Sequence, residues 1–514
     1  MADSTPKAIR ENFAKTRVAL DLLAVLGDDP QRVIIEFNAN FPGGQTAARA
    51  LLLSRLLGLE PFDYDDILRP SWAVAAPMLA NVELREPPRI GREEMELFNS
   101  LLTESYLFTS LDKERVLALA QLTAAVPGTE QDVNLVYRIW ADPTLTPQVY
   151  VSRRTIKADA ARAAFSAAGQ DIVWAVADTG VHPHPHFDLH RNLELGDGLR
   201  HWDFTADHAN AADAEAEALK DTAGHGTHVA GIIAGETITG EAARNVAQID
   251  VKQLIRKDEA QVASTTLRGA VSEISGVAPR CKILSLKVMT SKADGHASRL
   301  IAAIGYIRLL NGQSPEPKIQ GLNISLGYPF DPTTFAAGQS PLCRAVDKLV
   351  SSGVAVVVAA GNGGYGEVSV TGGFAPAAHA STIADPGNAD LAITVGSTHR
   401  DMPHRYGVSH FSAKGPTADG RLKPDLVAPG ERIISCELPA QAGAPATFKE
   451  DTGTSMAAPH VSGAIAAFLS VRREFRGAPL LVKKLFLDNA TSLGRQATFE
   501  GHGLVDLMRT LQAV

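Results

Sequence analysis

A doubly wound α/β domain with a mostly parallel sheet, preceded by a small α+β domain, is the fold class this sequence predicts. Three observations lead there. Short, nearly continuous Val/Ile/Leu runs recur after residue 170, as strands buried on both faces of a parallel sheet require. Helical patterns fall between those runs, over 225–234 and 298–310 for example. Upstream the order of elements is different, and the turn-rich Ala141-Asp-Pro-Thr-Leu-Thr-Pro147 separates the two regions. The expected domains are therefore 1–145 and 146–514.

Along the chain, residues 1–31 read as a capped helical lead-in ending at Gly27-Asp28-Asp29-Pro30. Arg32-Val-Ile-Ile-Glu-Phe37 reads as a strand, Gly43-Gly44 breaks it, and Thr46 to Leu59 reads as an amphipathic helix. Residues 60–104, with several prolines, carry no clear pattern. Tyr106 to Ser110 reads as a strand, and Asp112 to Leu122 as a helix that Asp112 caps. Val133 to Trp140 is the last strand before the boundary. This β-α…β-α-β order suits helices on one face of an antiparallel sheet. Beyond the boundary the expected strands are Ile172–Ala177, Ile283–Val288, Gly321–Leu326, Val354–Ala360 and Ala392–Val395. In such a sheet, sites form at the carboxyl ends of strands.

Composition narrows the partners. The formal charge of −8 argues against nucleic acid or an anionic membrane surface. No run of about 18 apolar residues is present, so no membrane span is expected. The start of the chain lacks the basic, then apolar, then small-residue order of an export signal. Three cysteines, Cys281, Cys343 and Cys436, are widely separated and fit neither a disulfide framework nor a zinc site. The reading is a cytoplasmic protein with reduced thiols.

The chemistry concentrates in four places. Asp178 directly follows an apolar strand and so stands at its carboxyl edge. His225 lies in Gly224-His-Gly-Thr-His-Val-Ala-Gly231, at the start of a helix. Ser455 lies in Gly453-Thr-Ser-Met-Ala-Ala-Pro459, before a buried helix expected over 457–469 whose first turn tolerates Pro459. There the backbone N–H groups and the helix dipole favour a developing oxyanion. A serine hydroxyl needs a base, imidazole has a suitable pKa, and a buried carboxylate fixes its tautomer. Asn362, in Ala359-Ala-Gly-Asn362, follows another strand and offers a side-chain amide as a second oxyanion donor.

The order Asp…His…Ser, with Asp178-Thr-Gly180, Gly224-His-Gly-Thr-His228 and Gly453-Thr-Ser-Met-Ala-Ala-Pro459, resembles the subtilases, the subtilisin-like serine proteases. Gly276-Val-Ala-Pro279, Asn323-Ile-Ser-Leu-Gly327 and Lys423-Pro-Asp-Leu-Val-Ala-Pro-Gly430 extend the resemblance over residues 155–470. It implies a serine endopeptidase with a subtilisin-like fold, acting on polypeptides through an acyl-enzyme, with no cofactor in the chemistry. It also implies that Ser325, Leu326 and Gly327 pair with the substrate backbone, with Ala359, Ala360 and Gly361 as the facing wall. The segments Tyr106–Leu119 and Val136–Trp140 resemble the family's propeptide, which implies a ferredoxin-like domain over 1–145 that acts as the protease's own inhibitor. Cleavage is expected near 141–150, with a mature start near Thr146.

One departure concerns calcium. The family places an aspartate ligand of a structural calcium where this chain has His186, and a longer stretch, 236–276, replaces the loop carrying the other ligands. That puts this metal site in doubt and leaves calcium elsewhere open. The insertion 236–276 reads as a surface helical elaboration. His182, His184 and His186, alternating with prolines, read as a surface loop, and 207–221 as a solvated loop. Asp-Thr-Gly also marks aspartic proteases and recurs at Asp451, but the α/β pattern disagrees with an all-β fold of that class.

Overall fold

The computed structural model describes residues 17–19, 22–23, 26–57, 83–85, 100, 103, 105–126, 132–142, 144–147, 152–196, 198–238, 249–256, 262–268, 273–290, 295–314, 316–334, 336–370, 373–439 and 447–514. Most of the lead-in over 1–31, and most of 60–104, lies outside them. The chain forms two compact units, residues 1–143 with 297–309, and residues 144–296 with 310–514.

In the first unit, β1 (Gln31–Phe37), α1 (Gly44–Leu57), β2 (Tyr106–Leu111), α2 (Lys113–Gln121) and β3 (Val136–Ala141) follow the expected order. The strands form an antiparallel sheet in the order β2-β1-β3. Val33, Ile34, Ile35 and Phe37 of β1 are all buried, and Glu36 among them is buried too, accepting from Trp140 Nε1. Asp112 caps α2 by accepting from Arg115 N at 2.9 Å, which satisfies one orphan donor of the first turn. Asp142 accepts from Ser298 N at 2.9 Å, and Arg32 reaches the same carboxylate at 3.1 Å.

The second unit opens with β4 (Thr144–Pro147). There follow β5 (Val173–Asp178), β6 (Trp202–Asp203), α3 (His225–Ile233), β7 (Asp250–Arg256), β8 (Val262–Arg268), β9 (Lys282–Lys287) and β10 (Gly295–His296). Helix α4 (Ala297–Asn311), whose residues up to Leu309 group with the first unit, comes next in the chain; the second unit resumes with β11 (Gly321–Ile324) and β12 (Leu326–Gly327), then α5 (Pro341–Ser351), β13 (Ala355–Ala359) and β14 (Ile393–His399). The chain closes with β15 (Leu426–Glu431), β16 (Ile433–Cys436), β17 (Thr447–Asp451), α6 (Thr454–Val471) and shorter helices to residue 512.

Seven strands form one wholly parallel sheet in the order β15-β14-β13-β11-β5-β9-β6. Every residue of β11 and β13 is buried, which is why these strands carry almost no polar side chains. Helix α6 is the core helix. All residues from Thr454 to Ser470 are buried, in one apolar cluster with α3 and the sheet. By length and hydropathy α6 could cross a membrane, but 94% of it is enclosed by protein, as for the core helix of a folded domain.

Three local readings are corrected. The insertion 236–276 is not helical where it is described. Its ends pair with each other, Glu236–Ile238 against Glu273–Ser275, and β7 and β8 form a hairpin whose inner strand runs parallel to β17. Strand-forming Val251, Val262, Thr265 and Thr266 explain this better than a helical pattern does. The 207–221 stretch carries a helix over Ala211–Ala218, capped by Asn210, and ends on a buried Asp221. Finally, His184 and His186 are buried. Their rings meet Phe448 edge-on at 5.2 and 5.5 Å.

Candidate functional site

The four chemistry-bearing residues all stand at element ends. Asp178 is the last residue of β5 and is fully buried. His225 is the first of α3, and its Nδ1 lies 2.6 Å from Asp178 Oδ1. This contact depends on a glycine. A Cβ on Gly226 would stand 2.1 Å from Gly180 O and 3.0 Å from Asp178 Cβ, so no larger residue lets α3 start this close to β5.

A second carboxylate, which the sequence reading took for part of a solvated loop, fixes this start. Asp221 accepts from Gly224 N (2.8 Å), Thr227 N (2.9 Å) and Thr227 Oγ1 (2.7 Å), as a cap for α3. It also accepts from Thr179 Oγ1 at 2.9 Å, and Thr179 Oγ1 in turn accepts from Gly226 N. The signal was present: an aspartate ahead of a Gly-His-Gly-Thr helix start is a cap pattern. Burial pushes its carboxyl above the usual range, against the hydrogen bonds from Thr227 and Gly224.

Ser455 is the second residue of α6, which begins three residues earlier than the sequence suggested. Pro459 is therefore the sixth helical residue and lies beyond the first turn. Its missing N–H would have bonded the carbonyl four residues back, that of Ser455. Instead Ser325 Oγ donates to Ser455 O at 2.6 Å. Asn323 Nδ2 donates to Ser325 Oγ at 2.9 Å, and Ser462 Oγ donates to Asn323 Oδ1 at 2.9 Å, which ties the end of β11 to α6. The Ser455 hydroxyl itself donates to Ser325 O at 2.8 Å.

Asn362 follows β13. Its Oδ1 accepts from Thr454 N at 3.0 Å and Thr454 Oγ1 at 3.1 Å. A backbone N–H can only donate, so this contact fixes the amide's orientation and leaves Nδ2 as its outward end. Thr454, to which the sequence reading gave no role beyond its place in the Gly453-Thr-Ser455 motif, is thus what aims Asn362.

Ser325–Gly327 and Ala359–Gly361 lie at the carboxyl ends of β11 and β13, neighbours in the sheet. Gly361 has φ +110°, and a Cβ there would meet Ala384 Cβ at 3.0 Å; a Cβ on Gly327 would stand 3.5 Å from the same atom. Ala384, unmarked by any motif, therefore sits against both segments. Strand β4 lies antiparallel between β12 and β10, with Thr146 opposite Gly327, Pro147 opposite Leu326, Leu145 opposite Gly295 and Thr144 opposite His296. Gly295 and His296 were also missed, since a two-residue strand has no detectable periodicity.

The loop bearing His186 does not fit calcium. His186 Nδ1 lies 2.9 Å from Thr237 Oγ1 and Nε2 lies 3.2 Å from Gly231 O. Glu236, a carboxylate beside this loop, has both oxygens engaged, by Arg162 and by His190 Nε2 at 2.9 Å. Burial would raise the Glu236 carboxyl, but His190 and Arg162 bring it down to about 2. A guanidinium thus already supplies positive charge at this carboxylate. Among the described residues no cluster of three His, Cys, Asp or Glu side chains could hold a metal.

A sequence model described as the subtilase family matches residues 169–504. Pyrolysin of Pyrococcus furiosus is 32% identical over 317 residues, covering 56% of this chain and 21% of that protein. Serine protease AprX of Bacillus subtilis is 28% identical over 335 residues, 63% of this chain and 62% of that protein. The major intracellular serine protease of Bacillus subtilis is 32% identical over 307 residues, 60% of this chain and 70% of that protein. The chain thus spans about a fifth of pyrolysin and just under two thirds of AprX. With two thirds of its length matched by the family model, the chain belongs to the subtilase family.

Proposed function

We propose that the protein is a serine endopeptidase that hydrolyses peptide bonds through Asp178, His225 and Ser455. The observation that carries this reading is the buried 2.6 Å Asp178–His225 contact at one strand end, with Ser455 at the start of the core helix. In this reading Ser455 turns its hydroxyl, which donates to Ser325 O at 2.8 Å, toward His225. His225 takes the proton as Oγ attacks the substrate carbonyl, and Asp178 stabilises the imidazolium. The Ser455 N–H and Asn362 Nδ2 hold the oxyanion. His225 then protonates the leaving amine, and water releases the acyl group.

The substrate main chain pairs with Ser325–Gly327 on one side and Gly295–His296 on the other, the position that β4 takes here. Ala359, Ala360 and Gly361 wall the slot for the side chain before the cut. We further propose that residues 1 to about 145 inhibit the enzyme until it processes itself. The placement of β4, directly after that segment, supports this. A cytoplasmic site of action is supported by three buried, unpaired cysteines and by the relatives named intracellular serine proteases.

A fluorophosphonate probe tests the assignment. It should label Ser455, and Ser455→Ala should lose both labelling and casein turnover. Turnover that survives in the variant would place the nucleophile elsewhere.

A further inference from the structure

Beside β3, within the first unit, lies a cleft of about 290 Å³ lined by Arg17, Asn38, Asn134, Val136, Tyr137 and Arg138. We infer that this cleft binds a phosphate group, free or carried on a small ester, in a role separate from peptide hydrolysis. Three segments build it. The chain at 17–19 runs along β3 as a parallel edge, with Ile139 N donating to Arg17 O at 2.8 Å and Ala19 N to Ile139 O at 2.9 Å. The short strand Val133–Asn134 brings in Asn134. Strand β3 itself is bulged: Arg138 faces Glu36 and Val136 faces Phe37, which leaves Tyr137 as the extra residue. A bulge re-aims the side chain it carries, and Tyr137 stands 55% exposed at the cleft.

The polar groups left over are donors. Arg17 Nη1 donates to Ala120 O at 3.1 Å and to Asn134 Oδ1. A guanidinium only donates, so this contact fixes the Asn134 amide and leaves its Nδ2 as a donor. Asn38 is already engaged at both ends, its Nδ2 by Asn134 O at 2.9 Å and its Oδ1 by Asn40 N at 3.0 Å. Arg138 lies over the Trp140 ring at 4.7 Å, which covers one face of the guanidinium and leaves its N–H edge for a ligand. Its Nε is enclosed with no acceptor among the described residues. Glu36, opposite Arg138, accepts instead from Trp140 Nε1 at 3.0 Å. Among the described residues, no carboxylate forms an ion pair with Arg17 or Arg138.

Charge selects the ligand. Two guanidiniums line one cleft, and partial burial holds that of Arg17 below its ordinary value, the mark of a cation stripped of some of its water. A carboxylate neutralises only one of them. A phosphate monoester carries a charge of about −1.5 to −2 near neutral pH and offers strong acceptor oxygens to both forks and to Asn134 Nδ2. Tyr137 adds a flat apolar wall for the group the phosphate carries. Because Arg17, Asn134 and Arg138 come from three separate segments, such a ligand binds only the folded unit and stabilises it.

Calorimetric titration of the full-length Ser455→Ala chain, which avoids self-digestion, tests this with inorganic phosphate, phenyl phosphate and acetate at matched ionic strength. Phosphate should bind saturably and acetate should not. Arg17→Gln and Arg138→Gln should each weaken phosphate binding by about tenfold or more. Phenylglyoxal labelling of Arg17 and Arg138, mapped by mass spectrometry, needs no substitution and should fall when phosphate is present. Phenyl phosphate binding more tightly than phosphate, with the gain lost in Tyr137→Ala, would identify an ester as the ligand, and equal affinities the free ion. No saturable phosphate binding, acetate binding as tightly, full affinity in both arginine variants, or labelling that phosphate leaves unchanged would overturn the site. None of these outcomes bears on Ser455, so the protease reading stands or falls separately.

Discussion

At the scale of single residues, the pair Ser325 and Pro459 shows how the nucleophile is set. A proline inside a helix normally leaves a carbonyl without its donor, at a cost of about 3 kcal/mol. Here the stranded carbonyl belongs to Ser455, and the hydroxyl of Ser325 takes the missing donor's place. Ser325→Ala leaves a buried acceptor unpaired, worth about 1–3 kcal/mol. We expect kcat to fall by roughly 10- to 100-fold, with KM nearly unchanged because the backbone of 325–327 still pairs with substrate. Adding Pro459→Ala restores an N–H four residues after Ser455 and should recover part of the loss. If instead KM rose while kcat held, and the second substitution gave no recovery, Ser325 would act through substrate pairing and not through the helix.

At the scale of elements, the insertion between α3 and β9 has a definite mechanical place. Its ends are clamped to each other, and its inner strand β7 pairs Asp250, Val251 and Lys252 with Thr447, Phe448 and Lys449 of β17. Only Thr452 and Gly453 separate β17 from the helix that carries Ser455. Replacing 250–268 by a short Gly/Ser linker leaves the clamped ends in place and strips β17 of one neighbour. The expected result is a thermal midpoint lower by several degrees together with a reduced kcat. An unchanged midpoint and rate would mean the hairpin does not brace the serine segment. This part of the fold was poorly legible, because β7 and β8 carry Lys, Gln, Arg and Thr among their apolar residues and show no continuous run. The central strands were legible for the opposite reason, since burial on both faces leaves an unbroken apolar run. Strand β15 went unmarked because it contains Pro429, which is tolerated at the edge position it occupies. The four residues of chemistry were readable from short glycine-rich motifs. Thr454 and Ala384 were not, because their roles depend on contacts across the fold, while the cap pattern at Asp221 was present and passed over.

At the scale of the molecule, several histidines are stored neutral in the interior. Burial holds His184 and His460 down to about 4, and burial with neighbouring His184 holds His186 down to about 3. The hydrogen bonds agree with neutral rings. His184 Nδ1 accepts from His186 N, and His460 Nε2 accepts from Ser152 N. Below pH 6.5 the unfolded chain binds protons that the folded chain refuses, so stability falls as pH drops toward 4. Each such histidine contributes up to roughly 1.4 kcal/mol per pH unit in that window. Glu236 acts lower down. Its carboxyl, depressed to about 2, stabilises the fold above its unfolded value, and that contribution is lost as pH falls through about 4.5 toward 2. Urea unfolding of Ser455→Ala, which avoids self-digestion, should therefore show a midpoint far lower at pH 5 than at pH 7.5. Equal midpoints would show that these rings are not held neutral.

The position of β4 carries one last consequence. On the proposed reading that the N-terminal segment inhibits the enzyme, an attached segment would block the cleft as an intramolecular event at high local concentration, which dilution does not relieve. If that tether were severed, the same peptide could depart and would return only by diffusion. On that reading the proposed inhibition would then depend on how crowded the solution is, with a processed molecule silent in a dense store and awake on release into a dilute one.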